Sequence, residues 1–99
     1  MIGYRFLSLA EEEMSEAAVF YEAASAGFGD KFLADVQHTV DRLRSHPEFG
    51  VDIAAGLRRA LLHRFPFSLI YSVEADEILI VSVAHHRRRP GYWRSRNTR

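Results

Sequence analysis

The run His85-His86-Arg87-Arg88-Arg89-Pro90-Gly91-Tyr92-Trp93-Arg94-Ser95-Arg96 is the densest collection of side chains able to do chemistry in this chain. Guanidinium groups bind phosphates and carboxylates through paired hydrogen bonds. Imidazole, phenol and indole transfer protons or stack on bases. The run follows directly on Ile78-Leu79-Ile80-Val81-Ser82-Val83-Ala84, the most strand-like segment, so its cations and aromatics are delivered to the edge of a packed sheet. Arg58-Arg59 is a second basic pair. Neighbouring strand side chains point to opposite faces, so at most one of that pair joins the C-terminal cluster. The same alternation makes His85 and His86 poor joint metal ligands, and neither a metal nor a cofactor is expected. On the face shared with Leu79, Val81 and Val83, His85 reads as a structural histidine, which leaves His86 as the chemical one. Tyr92 and Trp93 read either as a lid folded back on the sheet or as stacking platforms for a base.

The elements that must position these residues are legible in outline. Tyr4-Arg5-Phe6-Leu7 reads as a short strand, and Ser8 with Glu11 three residues later forms the Ser-x-x-Glu pattern of a helix start. Ala10, Met14, Ala17, Tyr21 and Ala24 then make one apolar stripe, with Glu12, Glu13, Glu16 and Glu22 mostly off it. The early carboxylates suit the positive end of the helix dipole and are read as stabilising. Ala26-Gly27-Phe28-Gly29 breaks this helix. Phe32, Leu33, Val36, Val40 and Leu43 carry a second as far as His46-Pro47, where proline discourages its continuation. Residues 47–56 read as a loop. Beyond them, residues 57–64 and Ser68–Val73 read as strands on either side of Phe65-Pro66-Phe67, with a helical alternative for 57–64 because leucine, alanine and arginine favour helices. A turn at Glu74-Ala75-Asp76 joins Ser68–Val73 to a last strand, Glu77–Ala84, as an antiparallel hairpin. The order is β-α-α-β-β-β, an α+β fold with an N-terminal helical hairpin on a small, mainly antiparallel sheet. Tyr21, Phe32, Phe65, Phe67 and Tyr71 are assigned to its core.

Composition bounds the function classes. Ninety-nine residues, 47% of them hydrophobic, suffice for one domain over 1–99, with 90–99 as a C-terminal tail. With no cysteine, disulfides and thiolate zinc sites are excluded. The N-terminus lacks the pattern of a signal peptide and no stretch is apolar enough to cross a membrane, so a soluble cytoplasmic protein is expected. Formal net charge is zero, yet residues 1–50 hold nine acids against four bases and residues 51–99 hold four against nine. A neutral chain with a basic half suits a local polyanionic or acidic-peptide site better than general coating of nucleic acid.

Several motifs coincide in order: the Tyr4-Arg5-Phe6 strand, Tyr21-Glu22, Gly29-Asp30-x-Phe32, Leu43 to Pro47, Arg58-Arg59, and Arg64-Phe65-Pro66-Phe67-x-x-x-Tyr71. Val83-Ala84-His85 and Arg88-x-Pro90-Gly91-Tyr92-Trp93 complete the set. Spread over almost the whole chain, they resemble the RelE/ParE superfamily of type II toxin-antitoxin toxins, plasmid stabilisation type. The resemblance implies a growth-inhibiting toxin and a cognate antitoxin that wraps and neutralises it. RelE-like members cleave messenger RNA on the ribosome, whereas ParE-like members poison DNA gyrase without being known as nucleases.

Cleavage through a 2′-hydroxyl needs a base, an acid and cations for the developing charge. Laid over the RelE pattern, Arg59 and Leu61 fall at two basic positions, Ser68 at an arginine, His86 at a C-terminal arginine and Tyr92 at the tyrosine. A hydroxyl at Ser68 does not replace a guanidinium, so the chain is placed nearer the ParE branch, as a binder of a macromolecular target. The enzymatic alternative is a metal-independent, ribosome-dependent endoribonuclease. It would use His86, Arg88 and Tyr92 catalytically, with Arg59, Arg87 and Trp93 contacting phosphate or target. A third alternative is an inactive family member that only binds its antitoxin.

Overall fold

In the computed structural model, which describes residues 1–96, the chain runs β1 (Gly3–Phe6), α1 (Ser8–Ala24), α2 (Phe28–Ser45), β2 (Val51–Ala54), β3 (Leu57–Leu61), β4 (Phe67–Val73) and β5 (Glu77–His85). One sheet has the order β1-β5-β4-β3-β2, with β1 parallel to β5 and every other pair antiparallel. The expected helical hairpin covers one face. The last three residues of the anticipated tail, 97–99, lie outside the described residues.

The sheet has one strand more than expected. Val51-Asp52-Ile53-Ala54, read as loop, pairs with β3 across the turn Ala55-Gly56, where Gly56 has φ 74°. Such a left-handed position suits glycine, which closes the hairpin without a Cβ clash. The strand is short and irregular, with a register shift between Asp52 and Ala54, and its alternation is too brief to register as a period. Residues 57–61 are strand rather than helix, because Arg58 to Leu61 pair along β4. The Ser8–Glu11 capping pair does not form. Leu7 occupies the N-cap with extended backbone, its own N–H donating to the Ile80 carbonyl at 2.9 Å, so the chain passes from strand pairing directly into α1.

Two carboxylates tie the helices into place. Glu22, on α1, accepts from the Gly27 and Gly29 amides at 3.0–3.1 Å and so satisfies open N–H groups at the start of α2. These bonds hold its carboxyl below the usual range. A Cβ at Gly29 would lie 2.7 Å from the Ala18 carbonyl oxygen, so only glycine permits this approach of the helices. Asp35, 5% exposed on α2, accepts from the backbone amides of His63, Arg64 and Phe65 at 2.8–3.1 Å. It thereby fixes the connection between β3 and β4 and sets the Phe65 ring 4.7 Å from Tyr21 and 5.4 Å from Phe32.

The core lies on both sides of the sheet. Between helices and sheet pack Phe32, Val36, Val40, Leu43, Phe67, Leu69, Tyr71, Ile78, Ile80 and Val83. Leu33, assigned to the same stripe, is 39% exposed, since Asp35 and Thr39 occupy part of the buried face of α2. On the far face, Ile70, Leu79, Val81 and Ala84 are covered by Trp93, with Tyr92, Ile53 and Leu57 beside them. The C-terminal segment is thus a layer of the fold. Asp35→Ala is expected to lower unfolding free energy by about 2–3 kcal/mol, since three donors lose a charged acceptor. Urea denaturation measures it; a loss within the range of surface substitutions contradicts the assignment.

Candidate functional site on the far face of the sheet

The site begins with an irregularity in β5. Ile70 pairs with Ser82 and Tyr71 with Ile80, so Val81 is an extra residue in the ladder. A bulge of this kind reverses the alternation beyond it. Leu79 and Val81 face the far side, whereas Val83 faces the helices, and the expected common face for Leu79, Val81, Val83 and His85 does not exist. His85 follows Val83: its ring packs edge-on against Phe67, its cross-strand partner, with centroids 4.9 Å apart. Its Nδ1 accepts from the Arg87 amide at 2.9 Å. His86 departs in the other sense, and its Nε2 lies 3.0 Å from Oγ of Ser68, a far-face residue only 3% exposed.

Around Ser68 the far face forms a groove of about 360 Å³. Arg59 and Leu61 of β3 line one side, His86 and Ser68 the floor, and Arg88 to Arg94 the other side. Of the six residues singled out in the sequence, the groove gathers Arg59, His86, Arg88, Tyr92 and Trp93; Arg87 is exposed beside it. Arg59 and Arg58 take opposite faces as expected. Arg58 instead donates to the Glu48 and Gly50 carbonyls at 3.3 and 2.7 Å. Trp93 is the lid of the two alternatives, 7% exposed over Ile70, Leu79, Val81 and Ala84. Its indole face is used by the core and not offered as a stacking platform.

Tyr92 and Arg88 form a stacked pair, with the guanidinium carbon 3.9 Å from the ring centroid. The Tyr92 hydroxyl, however, donates to Oε2 of Glu13 at 2.6 Å. Glu13 also accepts from Ser82 Oγ and the Val83 amide, both at 3.0 Å, and from both terminal nitrogens of Arg96 at 3.0 and 2.8 Å. Arg96 further donates to the Val81 carbonyl at 2.8 Å. Burial pushes the Glu13 carboxyl up, but the bonds from Arg96, Tyr92 and Val83 outweigh it and leave the group below its ordinary value. Burial and the neighbouring Glu13 carboxylate push Tyr92 up.

Glu13 and Arg96 were not among the expected site residues. Glu13 reads as an exposed acid in a run of three, yet it stands three residues after Ala10 and four before Ala17, at the border of the apolar stripe. That spacing was a usable signal. For Arg96, eighty-three positions away, nothing local announces the pairing.

Because the folded value of Glu13 is depressed, its contribution to stability is present above the unfolded value of 4.5 and is lost as pH falls through the folded one. A carboxyl titration followed by NMR should give Glu13 a midpoint below 4.5. A midpoint at or above that value contradicts the bonding described.

Residues 4–90 match the family model for the ParE toxin of the type II toxin-antitoxin system, parDE. A solved structure, the chromosomal ParDE TA system from P. aeruginosa, superposes with a TM-score of 0.65 at 22% identity, covering 86% of this chain and 96% of that one. At that identity the likeness concerns the fold. No curated protein matches. No helix among the described residues is long and apolar enough to cross a membrane. With the family match covering both helices and, but for Gly3, all five strands, the chain belongs to the ParE toxin family of type II toxin-antitoxin systems.

Proposed function

We propose that this toxin arrests growth by binding a macromolecular target, DNA gyrase in the first instance, through the basic far-face groove, and that it performs no covalent chemistry there. The observation that carries this reading is the state of Tyr92. A tyrosine acting as acid or base on RNA must present its hydroxyl to the substrate. Here the ring lines the groove while the hydroxyl donates to Glu13 at 2.6 Å, and burial with that carboxylate raises its pKa. Ser68, in turn, stands where the RelE pattern has an arginine, and its hydroxyl is taken up by His86. What the groove offers is exposed cations on a rigid sheet, which suits recognition.

A cognate antitoxin completes the proposal, in keeping with the ParDE pairing named for the P. aeruginosa structure. It would cover apolar surface on the sheet or helices and set carboxylates against the basic C-terminal half. The expected location is the cytoplasm, where both target and antitoxin are made.

A second reading, ribosome-dependent cleavage of messenger RNA, draws on one observation: Arg59, His86 and Arg88 line the same groove. In that case His86 would move the proton and the arginines would hold the phosphate. Pulse-labelling within minutes of inducing the chain alone separates the readings. Binding to gyrase predicts that DNA synthesis falls first; an immediate fall in protein synthesis supports the nuclease. Substitution extends the test. Under the binding reading Arg88→Ala weakens toxicity and His86→Gln leaves most of it, because no proton transfer is involved. Complete loss in His86→Gln, with normal folding, contradicts that reading.

A further inference from the structure

We propose that Glu13 is a positioning residue for the toxin: its carboxylate holds the segment Arg88–Arg96 as one wall of the groove, and this segment docks and undocks on it as a unit. The proposal rests on the groove reading above. Three observations carry it.

First, Glu13 is the only acid that bonds Tyr92 or Arg96 among the described residues. It reaches both from α1, a different element from any that lines the groove. The Glu13–Arg96 pair is bidentate, and its side chains are 14% and 11% exposed. Such pairs combine charge with fixed geometry.

Second, the chain of contact leads from Glu13 to the groove. Tyr92 is held by its hydroxyl, its ring carries the Arg88 guanidinium at 3.9 Å and that of Arg96 at 5.3 Å, and Trp93 follows in sequence under the same segment. Arg88 is otherwise exposed, so the stack on Tyr92 is what aims it. Removing the carboxylate therefore moves Arg88 through Tyr92, although Glu13 does not line the far-face groove at all.

Third, the segment is built to detach. Its internal backbone bonds are local, Arg94 N–H to Gly91 and Arg96 N–H to Trp93, and it makes no strand pairing with the sheet. Its anchors are the Glu13 carboxylate, the Val81 carbonyl, the Ser82 hydroxyl 3.0 Å from that of Tyr92, and the burial of Trp93. Segments of this type open with less free energy than the body they cover. Tyr92 and Arg96 lie beyond residues 4–90, the part matched to the family, so this anchorage joins Glu13 and Val81 inside the match to residues outside it.

The test uses the full chain, purified and induced, with wild type, Glu13→Gln, Glu13→Ala and Tyr92→Phe compared. Amide exchange of Arg94 and Arg96 reads docking, and amides of β4 and β5 read the body. Loss of bonds to a charged group should lower the docked-to-undocked ratio by about tenfold or more, and exchange of the Arg94 and Arg96 amides should quicken by the same factor. The β4 and β5 amides should keep their protection. Trp93, the single tryptophan, should show a red-shifted emission in the variants. Toxicity should fall in the Glu13 variants at equal soluble amount and equal melting of the body, and fall less in Tyr92→Phe, which keeps the ring under Arg88. Wild-type exchange at Arg94 and Arg96 in both Glu13 variants overturns the docking claim. Faster exchange with undiminished toxicity overturns the positioning claim. If the variants instead unfold globally, with body and segment exchanging together, the segment is not a separable unit and the proposal fails. A wild-type chain that is not toxic defeats the functional reading alone, because exchange still decides the docking.

Discussion

Strand β1 ends at Phe6, opposite Ile80, while β5 continues to His85. The second half of β5 therefore has an edge with no strand beside it. Backbone donors and acceptors on such an edge need partners, and an open edge invites pairing with other chains. Here the partners are side chains: Glu13 takes the Val83 amide and Arg96 gives to the Val81 carbonyl, while the two are bound to each other. The pair stands in for the missing strand. Because Glu13 comes from α1 and Arg96 from the C-terminal segment, the same bonds attach the helical layer to one edge of the sheet and the segment to its far face. The bulge at Val81 makes this possible, since it turns Val83 towards the helices and leaves Val81 packed beneath Trp93.

The functional surface follows from that arrangement. A bare sheet face made by Ile70, Leu79, Val81 and Ala84 would be an apolar patch. Covered by Trp93, it becomes a groove whose walls are arginine and whose floor is the bonded pair of Ser68 and His86. Charge is divided accordingly. The acids of α1 other than Glu13 are exposed, and Arg59, Arg88, Arg89 and Arg94 of the second half line the far-face groove. A neutral chain thus presents a concentrated cationic site, which is the economical way to recognise an anionic surface without binding every polyanion.

Much of this was legible from residue types. Both helices, the break at Gly27 to Gly29 and the last three strands follow from apolar spacing and glycine placement, and the alternation of side chains rightly separated Arg58 from Arg59. The helical stripe also identified Phe32, Val36, Val40 and Leu43 as core. What escaped is of two kinds, elements too short or irregular to show a period and single residues acting across long separations. The four-residue strand Val51–Ala54 has too few positions to reveal a period. A bulge leaves no composition signal, so His85 was set on the wrong face. Asp35 and Glu13 look like ordinary surface acids on helices, and only the backbone amides of residues 63–65 in one case and Arg96 in the other give them their burial.

We propose that the basic groove arrests growth by binding gyrase rather than by cutting RNA. The most direct measurement is DNA supercoiling by purified gyrase with increasing amounts of the purified chain, run beside a purified ribosome system programmed with messenger RNA. Inhibition of supercoiling by the wild-type chain, weaker inhibition by Arg88→Ala, and intact messenger RNA on the ribosome are expected. Unimpaired supercoiling together with cleavage of the messenger would contradict the proposal.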